Sequence, residues 1–230
     1  MKDALPSMTR RLGILLFAIA LSWGIGINAA KATSEQEELV TKAQFTIENM
    51  LADPEELPLK DYVDRAKGIF IIPTLIKGAF ILGGEGGNGV LLVKGSDGSW
   101  SDPAFYTLGG ASIGLQIGGE VSQAVFTLMT DEAVASFLSS EFKFGGDLSV
   151  AVGPKGAGIG ASSTTNVAAD IYAFSMAVGL FGGGALNGAK IFARDEWNTA
   201  YYGPDATPKA IVIERKYSNP QSGKLRAAIP

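Results

Sequence analysis

At 230 residues, with 47% hydrophobic and 18% charged side chains, the chain can fill the core of one domain and is too apolar for a disordered one. It has no cysteine and no histidine, which removes disulfides, iron–sulfur ligation, thiol nucleophiles, the commonest general base and the commonest transition-metal ligand. Its 19 basic and 23 acidic residues give a net charge of −4, a poor basis for bulk binding to nucleic acid or an anionic membrane.

The first segment has three parts. Lys2, Arg10 and Arg11 precede an uncharged apolar run at residues 12–27 (LGILLFAIALSWGIGI), and Ala30-Lys31-Ala32 fits the A-x-A cleavage pattern. This is the pattern of a secretory signal peptide, residues 1–32, cut before Thr33. It predicts a periplasmic or secreted protein; the rival reading is a retained anchor, since the run approaches the length of a membrane span. Cleavage would remove four basic residues and Asp3, leaving 15 against 22 and a net charge of −7.

Ser34 and Glu37 make a capping box, and Leu39, Val40, Ala43, Ile47, Met50 and Leu51 follow at helical spacing, which predicts a helix over about residues 35–52. Residues 58–66 suit a short helix. The apolar stretch 68–82 is interrupted by Pro73 and Gly78, which predicts two buried strands or a strand and a loop. Residues 83–89 (GGEGGNG) suit a flexible turn, 90–93 a strand and 95–98 a turn, with Trp100-Ser101-Asp102-Pro103 closing a hairpin. A glycine-studded β region covers 106–129. Thr130 caps a central helix with Asp131 and Glu132 in its first turn. Strands are expected at 142–152, 156–165, 171–180 and 191–197, a short helix or turn at 197–202, and a last short helix from Pro208. Residues 216–230, basic and without an acid after Glu214, are expected to form a flexible tail. The order gives an α+β fold: a glycine-rich, twisted antiparallel sheet, curled towards a barrel, with an N-terminal helix and a central helix.

Two motifs mimic catalytic ones. Residues 84–89 spell G-x-G-x-x-G, but a dinucleotide site needs a helix next, and Val90-Leu91-Leu92-Val93 is strand-like. Residues 110–114 spell G-x-S-x-G around Ser112, but that nucleophile needs a histidine to take its proton. The acidic pairs Glu55-Glu56, Asp131-Glu132 and Asp195-Glu196 suit capping or solvated roles better than acid–base chemistry. No EF-hand spacing occurs. The sequence offers no catalytic residue, metal site or cofactor site.

The ordered set Ala66-Lys67-Gly68-Ile69-Phe70-Ile71-Ile72-Pro73, Gly83-Gly84, Gly87-Asn88-Gly89-Val90, Trp100-Ser101-Asp102-Pro103, Gly109-Gly110, Gln116-Ile117-Gly118, Gly153-Pro154, Tyr172-Ala173-Phe174-Ser175, Asn187-Gly188, Asn198 and Tyr201-Tyr202-Gly203 resembles the SYLF family, also called the Ysc84 or DUF500 domain. The resemblance spans about residues 35–215, and the domain is set at 33–215. It implies non-catalytic lipid binding, with phosphoinositide binding and actin binding among eukaryotic members. With a leader that points to a bacterial envelope, it favours an anionic phospholipid or membrane surface as partner and makes actin an unexpected one. A structural or protein-interaction module of the envelope is the alternative.

An anionic headgroup needs cations beside apolar side chains. Two stretches provide them: Lys60, Arg65, Lys67 and Lys77 around the apolar run, and Arg215 and Lys216 at the start of the tail. Trp100, Trp197, Tyr201 and Tyr202 suit either a membrane interface or the core.

Overall fold

The computed structural model describes residues 34–52, 58–139, 142–143, 148–153, 169–178 and 189–230, without the side chains of 79–83, 111–118, 142, 152 and 177–178. The expected leader and the expected strand at 156–165 lie outside the described residues.

Helix α1 (Glu35–Leu51) starts where the capping box places it. The Glu37 amide donates to Ser34 Oγ, and the Ser34 amide to Glu37 Oε2, each at 3.2 Å. Val40, Ala43, Ile47 and Met50 form its buried stripe. A short helix, α2 (Leu59–Arg65), follows.

The expected breaks at Pro73 and Gly78 do not occur. Residues 68–93 form one 26-residue strand, β1 (Gly68–Val93), paired antiparallel with β2 (Ala104–Leu128) from Gly68↔Leu128 to Leu91↔Ala104. Pro73 is accommodated because the register shifts between Ile72 and Leu75, a position where a strand needs no N–H donor. The GGEGGNG segment is likewise paired strand rather than a flexible turn.

This ribbon doubles back on itself. The Lys94 amide donates to the Lys67 carbonyl at 2.8 Å, and Lys77 Nζ lies 3.3 Å from Glu85 Oε2, so the end of β1 lies against its beginning. The glycines make that approach possible. A Cβ on Gly87 would sit 2.5 Å from the Thr74 carbonyl oxygen, and one on Gly89 2.6 Å from that of Ile71.

Helix α3 (Asp131–Phe137) is capped by Thr130, whose Oγ1 accepts from the Ala133 amide. Strands β3 (Phe142–Lys143), β4 (Val150–Val152), β5 (Ile171–Val178) and β6 (Lys190–Ala193) complete the sheet among the described residues. The order is β3-β6-β2-β5-β4, with β1 also on β2. Strand β5 takes the second half of β2 and β6 the first half. The sheet is mixed rather than wholly antiparallel, because β4 runs parallel to β5.

Side chains alternate across the sheet with period two. Phe70, Ile72, Leu91, Tyr106 and Phe126 pack on one face with Val134 and Phe137 of α3. Ile69, Ile71, Val90, Leu92, Phe105 and Val125 pack on the other, against α1. Along these stretches both faces are buried, as expected of strands that read as continuous apolar runs.

Helix α4 (Asp195–Tyr202) and helix α5 (Pro208–Val212) follow β6. The expected flexible tail is corrected. Residues 220–222 form a 3₁₀ turn and Gly223–Ala228 form helix α6, with Leu225 and Ile229 buried on the α1 side. These two apolar side chains, spaced by four, supply a buried stripe that the charges of the segment mask in the sequence. The described residues belong to one unit, Ser34–Pro230, and none of their helices is long and apolar enough to cross a membrane.

Candidate functional site

The motifs that mimic catalytic ones lie in extended backbone. Residues 84–89 pair with 106–111 within the ribbon, and Ser112 pairs with Gly83, so neither leads from a strand into a helix. The acidic pairs Asp131-Glu132 and Asp195-Glu196 occupy the first turns of α3 and α4, where a carboxylate complements the helix dipole. Glu55-Glu56 lies outside the described residues.

A cleft of about 680 Å³ opens between the end of α2, both ends of β1, α3 and α5. Its floor is Val93, Val134, Leu138 and Ile213, and Ile213 is 45% exposed. Around that floor stand Arg65, Lys67, Lys94 and Lys209, against two carboxylates, Asp64 and Asp131. A positive cleft with an apolar floor thus exists on a chain that is acidic as a whole.

The candidate cations differ in how free they are. Lys67 is exposed, and its ammonium has no ion pair among the described residues. Lys209 reaches Glu214 only at 4.0 Å. Arg65 donates from Nε to the Asp61 carbonyl and lies over the Tyr62 ring, with part of its guanidinium left over. Lys94 is committed elsewhere. It donates to the carbonyls of Val63 and Asp64 at the C-terminal end of α2, and it stacks 4.7 Å from the Trp100 ring. Burial pushes its ammonium below the ordinary lysine value, with Asp64 opposing and Lys60 adding to that shift.

Of the residues read from sequence, the cleft therefore unites Arg65 and Lys67. Lys60 stands aside, bound to Asp64 at 2.7 Å. Lys77 lies ten residues along the strand, on the α3 face, beside the buried Glu85. Arg215 is bound to Ser99, donating from Nη1 to Oγ at 2.7 Å and from Nη2 to the carbonyl at 2.8 Å. Lys216 pairs with Glu214 at 2.6 Å. Lys94 and Lys209 escaped the sequence reading, because only the doubled ribbon and the return of α5 bring them to α2.

The four aromatics belong to the core rather than to an exposed belt. Trp100 is 6% exposed, Tyr201 and Tyr202 stack edge-to-face at 4.7 Å, and Arg194 covers Trp197 at 4.4 Å. The Tyr202 hydroxyl donates to the Pro103 carbonyl, and burial holds it un-ionised well above the ordinary tyrosine range.

The family described as "Ysc84: Las17-binding protein actin regulator" matches residues 109–230. LAS seventeen-binding protein 3 of Saccharomyces cerevisiae is 37% identical over 178 residues, which cover 75% of this chain and 38% of the relative. Protein YSC84 of the same yeast is 39% identical over 166 residues, 70% of this chain and 35% of the relative. The human SH3 domain-containing YSC84-like protein 1 is 32% identical over 171 residues, 74% of this chain and 50% of the relative. The matched region thus spans between a third and a half of these relatives. The family model covers most of β2, the central helix and residues 215–230, and with relatives more than 30% identical over about three quarters of its length the chain belongs to the Ysc84 (SYLF-domain) family.

Proposed function

We propose that this chain is a non-catalytic lipid-binding domain, exported by the leader at residues 1–32, that holds the headgroup of an anionic phospholipid in the cleft between α2, α3 and α5. The observation that carries this reading is the cleft itself: Arg65, Lys67 and Lys209 stand around an apolar floor of Val93, Val134, Leu138 and Ile213. Cations placed there attract a phosphate, and the floor accepts the adjoining glycerol and first methylenes.

Co-sedimentation with phosphatidylglycerol and phosphatidylcholine vesicles tests the reading. Binding to the anionic vesicles should exceed binding to the neutral ones, and that excess should shrink as salt rises. An excess of zero, or one that ignores salt, would refute it.

The names of the family and its relatives, which speak of Las17 binding and actin regulation, favour a second reading in which the same domain engages a protein. Co-sedimentation with filamentous actin, in the absence of lipid, separates the two. Capture by filaments together with indifference to anionic vesicles would select the protein partner.

A further inference from the structure

Ile76 and Val121, 57% and 53% exposed, face each other in register across β1 and β2 on the α1 side of the sheet. Val121 also pairs with Val178 of β5; Met176, two residues along and therefore on the same face, is 38% exposed. Directly opposed strand residues lie about 5 Å apart. The three side chains therefore form one stripe, on a surface where exposed apolar residues normally stand singly.

The stripe borders the doubled-back end of the ribbon. Between positions 78 and 84, and between 109 and 119, neither strand has a charged residue. The two nevertheless stay paired from Gly78↔Gly119 to Gly86↔Gly109, with one register shift after Phe80. That end carries Phe80, Ile81, Leu82, Ile113, Leu115 and Ile117. Charge resumes at its margin, with Lys77 opposite Glu120, Glu85 opposite Gly110, and Lys190 opposite Gly109. Ser112 and Gln116 are the only polar side chains in these two stretches, few for the polar rim that a protein interface carries. An uncharged pair of strands whose backbones bond to each other is instead suited to hydrocarbon, which cannot solvate a free N–H or C=O.

We propose that the doubled-back end of the β1–β2 ribbon, flanked by Ile76, Val121 and Met176, inserts into the hydrocarbon boundary of a lipid bilayer without regard to headgroup charge. This rests on the lipid-binding reading and adds a second contact to it. The insertion edge lies roughly 30 Å of strand from Lys67, at about 3.3 Å per residue. The cleft therefore supplies the salt-sensitive, anion-selective part of binding, and the edge supplies a part that salt leaves intact.

The chain has no cysteine, so single-cysteine variants of the full chain can be labelled at one place. An environment-sensitive fluorophore is attached at Ile76→Cys, at Val121→Cys, and at Ser96→Cys in the exposed turn beside the cleft. With pure phosphatidylcholine vesicles at high salt, the first two labels should shift to the blue and be quenched by brominated acyl chains, while the Ser96 label stays silent. The double variant Ile76→Glu/Val121→Glu should lose that binding by about tenfold or more, since two apolar groups no longer leave water. Its melting temperature should hold, because both sites are exposed. Silent labels at 76 and 121 while the protein still sediments with anionic vesicles would overturn the insertion and leave the cleft reading standing. A blue shift that depends on protein concentration without vesicles would assign the stripe to a second copy and overturn it too. Failure to sediment with any vesicle would overturn both.

Discussion

The indole Nε1 of Trp100 donates to the carbonyl oxygen of Pro230 at 2.9 Å, tying the turn between β1 and β2 to a residue 130 positions away. Beside that bond, the buried Asp102 accepts from the Asn219 amide and the Ser222 hydroxyl and faces Arg226 at 3.7 Å. Gln221 reaches the Glu37 carbonyl and Thr41 of α1. Residues 215–230 are therefore a clamp that holds α1 on the sheet.

Removing residues 217–230 is expected to cost several kcal/mol, because burial of Leu225 and Ile229 contributes about 1.5–3 kcal/mol each. Asp102→Ala should cost about 2–4 kcal/mol, since it strands the donors gathered on a buried carboxylate. Trp100→Phe keeps the ring, loses the bond, and should cost about 1 kcal/mol. Urea denaturation followed by far-UV circular dichroism measures all three. A truncated chain as stable as the full one would show the clamp to be ornamental.

Gly87→Ala and Gly89→Ala are expected to be among the most damaging single-methyl additions. Each new Cβ meets a backbone oxygen, at 2.5 and 2.6 Å, that can move only by opening the doubled ribbon. A cost of about 2–3 kcal/mol is expected for each. Gly86→Ala, whose Cβ would lie 3.5 Å from the Leu108 carbonyl, should cost less than about 1 kcal/mol. Chemical denaturation of the three variants tests the pattern, and equal losses would mean that the two halves of β1 do not touch.

These glycines also mark where the sequence could be read and where it could not. Helix α1, the Thr130 cap and the long β region were legible because a capping box, a first-turn acid pair and alternating apolar residues are local signals. Pro73 and the GGEGGNG run were misread because glycine and proline usually punctuate; here they permit a bulge and a close crossing, both set by contacts far along the chain. Of the cleft, Arg65 and Lys67 were legible as cations beside an apolar run. Lys209 was not, since α5 joins them only through tertiary packing. Arg215 looked free in sequence because its partners, Ser99 and Asp97, lie more than a hundred residues earlier.

Glu85 sets a pH dependence. Burial raises its carboxyl above the ordinary value of 4.5, and Lys77 offsets part of that rise. The folded state then holds the proton more tightly than the unfolded chain, so this residue favours folding at low pH. That contribution is lost as pH climbs from about 4.5 through the raised value. Glu85→Gln should remove this component. Plotted against pH from 4 to 7, the melting temperature of the wild type should fall relative to the variant. Parallel curves would show that Glu85 titrates normally.

Lys67 and Lys209 are the cleft cations least committed to other groups, so they should carry the affinity that distinguishes anionic from neutral vesicles. A basic residue near an anionic surface contributes about 1 kcal/mol. Lys67→Ala and Lys209→Ala should therefore each weaken the phosphatidylglycerol excess by about fivefold, and together by about twenty-five-fold if they act independently. Their melting temperatures should not change, since neither side chain is buried or holds a close ion pair. Arg215→Ala should do the reverse. It loses two hydrogen bonds to Ser99 and the pairing with Asp97, a surface cost of about 1 kcal/mol or less, and leaves vesicle affinity where it was. Vesicle titrations of the three variants at fixed ionic strength read both outcomes. If Arg215→Ala proved the more damaging to anionic binding, the headgroup would belong at the β1–β2 turn rather than in the cleft.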